Sequence, residues 1–312
     1  MSDFDPTYGY TLDQLLRIEP PTPPEDFTAF WQSRYQRAVQ IKPNARITLE
    51  NTSHDDFECY DLKYRSTDAV EIGGWALIPK HSKVRRGIIV GHGYGGRDEP
   101  DFNLPVSGAA FLFPCFRGVS KSRCETISDD PSVHVLHNIN DRDRYVLGGC
   151  VEDLWLAVSA LLELFPSVAG HVAYLGISFG GGIGALALPW DARIQRAHFN
   201  VPSFGNNPLR LQLPTWGSAA AVQNYQQQYG PILATLNYYD AAISARHIQV
   251  PVYIAAALAD PAVAPPGQFS IYNALSGEKK LFVLDRGHSE YPGQAEQERD
   301  LLSELQAFFS EL

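Results

Sequence analysis

The sequence predicts an α/β fold, a mostly parallel central sheet with helices on both faces. Three observations carry this. Short apolar runs recur at residues 87–90, 109–113, 172–175, 250–258 and 280–284. Helical periodicity falls between or after them, at residues 150–165, from residue 183, and at residues 294–312. A strand without a polar face must be covered on both sides, as parallel strands under crossover helices are. The run at 172–175 also leads straight into a glycine-rich turn and then into Ile183–Leu188, a strand–turn–helix unit.

The elements follow in order. Residues 1–25 form an extended arm, because Pro20, Pro21, Pro23 and Pro24 exclude a helix there. A helix is expected over residues 25–40, with Phe27, Phe30, Trp31, Tyr35 and Val39 on one face. Three strand-like runs at 46–52, 57–66 and 70–79 are separated by turn-prone clusters, so the sheet opens antiparallel. The helix at 150–165 aligns Val151, Leu154, Trp155, Val158, Leu161 and Leu162. The last helix carries Leu301, Leu305, Phe308 and Phe309.

Two segments break the alternation. Residues 120–143 are polar and hold two histidines, and residues 202–239 are rich in glutamine, asparagine and aromatics. Long excursions of this kind commonly build the mouth of a site. No repeat or linker divides the chain. One domain over residues 1–312 is expected, with the arm and first helix (1–45) and the excursion near 202–239 as its additions.

A chain of 312 residues, 45% hydrophobic and 19% charged, can bury a large core. Its net charge of −10 repels phosphate polymers and anionic lipid, so neither nucleic acid nor membrane is an expected partner. The amino terminus lacks the basic and apolar regions of a secretory signal, and no apolar stretch is long enough to span a bilayer. A cytoplasmic location is expected. Cys59, Cys115, Cys124 and Cys150 form no C-x-x-C pair and fit no zinc spacing. Buried free thiols are expected, with Cys115–Cys124 as the open pairing.

The chemistry centres on Gly176-Ile177-Ser178-Phe179-Gly180. A serine at a sharp strand-to-helix turn projects its hydroxyl from the sheet edge, and the crowding there requires small residues two before and two after it. This is the nucleophile turn of the α/β-hydrolase fold. In that fold the order along the chain is serine, acid, histidine. His288 follows the run at 281–284, so it is the expected base. Asp260 ends the run at 252–258 and is the expected acid; Asp285, three residues before His288, competes for that role. The oxyanion requires two N–H donors. One is that of Phe179, after the nucleophile. The other comes from the loop His92-Gly93-Tyr94-Gly95-Gly96, where Tyr94 is the candidate. His92 itself is read as structural. His134 and His137 have helix-compatible spacing but lack a third ligand, so they are read as part of a solvated loop. Neither a G-x-x-x-x-G-K phosphate loop nor a dinucleotide fingerprint is present, and no cofactor or metal is expected.

Taken together, the chain resembles the acetyl xylan esterase/cephalosporin C deacetylase family of carbohydrate esterases. Asp26-Phe27 with Phe30-Trp31 resembles the family's N-terminal helix signature. Arg117-Gly118 resembles its R-G-Q motif, and Gly176–Gly182 its G-x-S-Q-G-G-G elbow. Leu236–Asp240, Ala257–Asp260 with Pro265-Pro266 and Tyr272-Asn273, and His288 fall in order at family positions. The resemblance implies a Ser178–Asp260–His288 triad and an oxyanion hole from the Tyr94 and Phe179 N–H groups. It also implies a small acetylated carbohydrate or related ester as substrate and a homo-oligomer, commonly a hexamer with its sites facing an internal cavity. Three positions depart from the family: Phe179 and Val119 stand where it has glutamine, and Ser289 where it has glutamate. Phe179 and the 202–239 excursion are expected to narrow the acyl pocket. Two other readings are a peptidase or acyl-peptide hydrolase of the same fold and a non-catalytic binding protein on this fold.

Overall fold

The three runs between residues 46 and 79 pair as an antiparallel opening: β1 (Arg46–Ser53), β2 (Phe57–Arg65) and β3 (Glu71–Pro79). The structure is a computed structural model that describes residues 4–312, so the first three residues of the arm lie outside the described residues. Six parallel strands follow: β4 (Arg86–Gly91), β5 (Ala109–Pro114), β6 (Val172–Ile177), β7 (Arg196–Asn200), β8 (Val252–Ala259) and β9 (Lys279–Arg286). The sheet order is β1-β2-β3-β5-β4-β6-β7-β8-β9, with β3 antiparallel to β5. The chain runs from β4 outward to β5 and then returns to the other side of β4 as β6. The order therefore reverses at β4, and the carboxyl ends of β4 and β6 flank the crevice where α/β proteins place ligands.

Alternate residues of these strands enter different cores. Ile89, Leu112, Tyr174 and Ile254 point into one; Ile88, Phe111, Ala173 and Tyr253 point into the other. This two-sided burial is why the strands read as continuous apolar runs. The first core is covered by α1 (Phe27–Ala38), α2 (Val146–Leu164), α3 (Phe179–Ala187), and, beyond α4 (Gly217–Tyr229) of the excursion, α5 (Pro265–Ala274). The second is closed by Leu301, Leu305, Phe308 and Phe309 of α6 (Gln294–Phe309).

Helix α2 carries two glycines and two acids in its interior. A Cβ at Gly148 would lie 2.5 Å from the Arg34 guanidinium, and one at Gly149 2.4 Å from that of Arg117. The glycines weaken the helix by about 1 kcal/mol each but admit two buried cations. Arg34 pairs with Glu152 at 2.8 Å. Arg117 donates to both Asp153 oxygens and to Ser66 Oγ and Thr67 Oγ1. Burial opposes the Arg117 charge, but Asp153 outweighs it and holds the guanidinium above its ordinary pKa. Arg117-Gly118 is thus a tie between the end of β5 and α2.

The amino-terminal arm is strapped along the carboxyl edge. Asn273 Nδ2 donates to Leu15 O and Ile18 O, and the Asp260 N–H donates to Pro6 O at 2.9 Å. Cys59, Cys115 and Cys150 are free and buried, as expected; Cys124 is free but exposed.

Candidate active site

Ser178 occupies the N-cap of α3 with φ 51° and ψ −111°, a left-handed turn that a serine adopts only under constraint. The constraint is visible. The Ser178 N–H donates to Asn200 O of β7, and its carbonyl accepts from Gly182 and Ser203. A Cβ at Gly176 would meet the Gly180 backbone at 2.6 Å, and one at Gly180 would meet Gly91 at 2.7 Å. The glycines two before and two after the serine are therefore required by backbone contact.

The structure brings Ser178, His288 and Asp260 together. His288 Nδ1–H donates to Asp260 Oδ2 at 2.7 Å, which leaves Nε2 free to accept; the Ser178 hydroxyl donates to it at 2.8 Å. Asp260 is fully buried and its carboxylate is saturated. Oδ1 accepts the N–H groups of Ala262 and Val263, each at 2.9 Å, and Oδ2 accepts Gln268 Nε2 at 3.0 Å besides His288. His288 also sits at positive φ, 49°. The preceding Gly287 lets the loop close, since a Cβ there would lie 2.3 Å from Asp260 Oδ2. Asp285 is exposed on β9, with its N–H held by Gln297 Oε1, while the imidazole Nδ1 is paired with Asp260.

The two nominated oxyanion donors are adjacent through their side chains. The Gly180 N–H donates to His92 O at 2.9 Å, which pins the loop after β4 to the elbow. His92 is structural: Nδ1–H donates to Gly93 O and Nε2 accepts the Phe116 N–H. Burial holds it neutral, with its pKa lowered to about 4. His134 departs from the expected solvated loop. It is buried; it accepts the Tyr94 hydroxyl at Nδ1 (2.9 Å) and donates Nε2–H to Arg117 O (2.9 Å).

Phe179 also departs from expectation. It is wholly buried beneath Tyr94, against Phe116, His134 and Phe204, and is not among the residues that line the cavity. The cavity at Ser178 has a volume of about 410 Å³. The excursion does shape it, through Phe204, Arg210, Leu213 and Trp216. Trp216 and Ile177 keep 46% and 43% of their surface exposed, so apolar surface faces the cavity mouth. Two residues here carried no signal in the sequence. Gln268 on α5 bridges Asp260 and the Ala257 N–H of β8, and Ser203 Oγ lies 3.4 Å from Ser178 Oγ.

A family profile for acetyl xylan esterase (AXE1) matches residues 8–305. The chain belongs to the acetyl xylan esterase family. It is accordingly a serine hydrolase acting on carboxylic esters. An acetyl xylan esterase from a Paenibacillus species superposes with a TM-score of 0.83 at 25% identity, over 95% of this chain and 99% of the other. Acetyl xylan esterase 1 from a Thermoanaerobacterium species gives 0.80 at 19% identity, over 97% and 99%. The acylaminoacyl peptidase of Pyrococcus horikoshii shares the fold, with a TM-score of 0.63 at 15% identity, but only 42% of its chain is covered. Comparison with curated protein sequences finds no match. In this acetyl xylan esterase family member the position directly after Ser178 is filled by Phe179 and its aromatic packing.

Proposed function

We propose that this esterase removes acetyl groups from small carbohydrates by acyl transfer through Ser178. The observation that carries the reading is the unbroken chain from Asp260 through His288 to the Ser178 hydroxyl, 2.7 Å and 2.8 Å long. His288 takes the serine proton as Oγ attacks the ester carbonyl, and returns it to the departing alcohol. Water then cleaves the acetyl-enzyme by the same route. Asp260 holds the imidazole tautomer. The Tyr94 and Phe179 N–H groups receive the oxyanion, supported by the pinning of one loop against the other.

The test is labelling with a fluorophosphonate followed by a panel of acetylated mono-, oligo- and polysaccharides. One label per chain, on Ser178, with short acetylated sugars as the better substrates, supports the reading. A chain that stays unlabelled under conditions where it hydrolyses these esters removes the serine from the mechanism.

We place the protein in the cytoplasm, supported by four free cysteines; no helix of the described residues is long and apolar enough to cross a membrane. We also propose a homo-oligomer, a hexamer by family resemblance, which light scattering on the purified protein would measure.

A further inference from the structure

Arg210 lines the cavity that holds the nucleophile and forms no ion pair among the described residues. It ends the turn Asn207–Arg210, and Ser178 and His288 line the same cavity. Its guanidinium makes one long hydrogen bond, Nη1 to Asn207 Oδ1 at 3.4 Å. Other buried or half-buried arginines differ: Arg34 holds Glu152, Arg117 holds Asp153 and Arg193 holds Asp191.

Asp240 is the acid that acts on Arg210 through space, and it is already occupied. Its oxygens accept the N–H groups of Asn206, Asn207, Ala242 and Ile243, at 3.1, 2.6, 2.9 and 3.2 Å. Tyr94 and Tyr145 also lie within electrostatic reach of Arg210, and burial keeps both as neutral phenols. The guanidinium is held in place by Phe204, with Cζ 5.3 Å from the ring centroid; Phe204 in turn packs edge-on against Phe179, the residue after the nucleophile.

A guanidinium stripped of part of its water and in direct ion-pair contact with no acid among the described residues is a receptor for a planar anion, and Arg suits a carboxylate in particular. Its place is also unusual for a chain of net charge −10, which otherwise disfavours anionic ligands. An acetyl group occupies a small part of a cavity of about 410 Å³, so the leaving alcohol has the rest. We infer that Arg210 binds a carboxylate on the alcohol part of the substrate, so that the site prefers acetyl esters of acidic sugars or comparable hydroxy acids. This rests on the esterase reading above. The carboxylate itself makes and breaks no bond: ester and water give acetate and the carboxylate-bearing alcohol.

The test compares kcat/KM for 4-acetoxybenzoate and its neutral methyl ester, in the wild type and in Arg210→Met and Arg210→Lys. The acid is expected to be preferred by about tenfold or more, the scale of one charge-assisted contact. The difference should lie mainly in KM. The preference should fall to about one in Arg210→Met and be partly kept in Arg210→Lys. A wild-type ratio at or below one, or an unchanged ratio in Arg210→Met, overturns the inference. A second pair, p-nitrophenyl hemisuccinate against p-nitrophenyl butyrate, carries the carboxylate on the acyl side; a preference confined to this pair overturns the alcohol-side assignment. Should Arg210→Met fail to fold, the wild type alone decides, since 4-hydroxybenzoate must inhibit about tenfold more tightly than 4-hydroxybenzamide. Hydrolysis of the methyl ester without acid preference defeats this inference alone, whereas failure to hydrolyse either acetoxybenzoate defeats the esterase reading beneath it.

Discussion

The rings of Tyr94 and Phe179 stack with centroids 4.2 Å apart and planes 27° from parallel. The two residues proposed to present oxyanion N–H groups are thus each other's packing partner. Tyr94 is fixed again at its far end, where its hydroxyl donates to buried His134. An aromatic layer holds the elbow against the loop after β4.

Phe179→Ala is therefore expected to act on stability and rate together. Removing a ring of zero exposure opens a cavity under Tyr94, with a loss of about 3–5 kcal/mol. With Tyr94 unsupported, kcat should fall by about 10²-fold, the lower end for one oxyanion donor. Urea denaturation and p-nitrophenyl acetate kinetics measure the two. An unchanged kcat in the folded variant would show that the stack does not position the loop.

Gln268→Leu removes an amide that touches Asp260 Oδ2, Val263 O and the Ala257 N–H. Leaving a buried donor and acceptor unpaired destabilises by about 1–3 kcal/mol each. Asp260 and with it the imidazole lose a restraint, so kcat should drop while KM stays close to its wild-type value. A change confined to KM would place Gln268 in substrate binding instead.

Arg117→Met leaves Asp153 as a buried charge with the hydroxyl of Ser66 as its remaining side-chain donor. Breaking a buried pair from one side destabilises by about 3–5 kcal/mol, well beyond the effect of a surface pair. Replacing Arg123, whose pair with Asp129 is exposed, should change stability by under about 1 kcal/mol. Thermal or urea unfolding of the two variants separates them.

Acid should destabilise the fold through two buried histidines. His92 and His198 are held neutral by burial, with pKa values lowered to about 4 from an ordinary 6.5. Between those values the unfolded chain binds more protons than the folded one, so stability present above pH 6.5 is lost as pH falls toward 4. Asp240, raised to about 6 by burial, acts in the opposite sense over part of this range, but it stands against His92 and His198 and against His134, His137 and His247, which burial lowers as well. In His198→Gln the dependence of urea midpoint on pH between 6.5 and 4 should be shallower than in the wild type. An equal slope would remove His198 from the linkage.

The convergence of Ser178, Asp260 and His288 was legible because each stands at the end of an apolar run: Ser178 after β6, Asp260 after β8, His288 after β9. Strand β7 was not. Arg196, His198 and Asn200 interrupt its apolar pattern, and it forms because β6 and β8 pair with it on both sides while Ala197 and Phe199 are fully buried. Gln268 and Arg210 had no spacing to mark them. Their roles come from what lies opposite in space, β8 for one and the nucleophile's cavity for the other. His134 looked like a loop residue because the segment 120–143 is polar as a whole; its ring contacts come from Tyr94 and Arg117, elsewhere in the chain.

The most direct measurement is the rate of p-nitrophenyl acetate hydrolysis by Ser178→Ala, with folding verified by circular dichroism. Loss of the hydroxyl that His288 activates should lower kcat by about 10⁴-fold or more, as when a triad's nucleophile is removed. Turnover close to the wild-type rate would contradict the role of Ser178 as nucleophile.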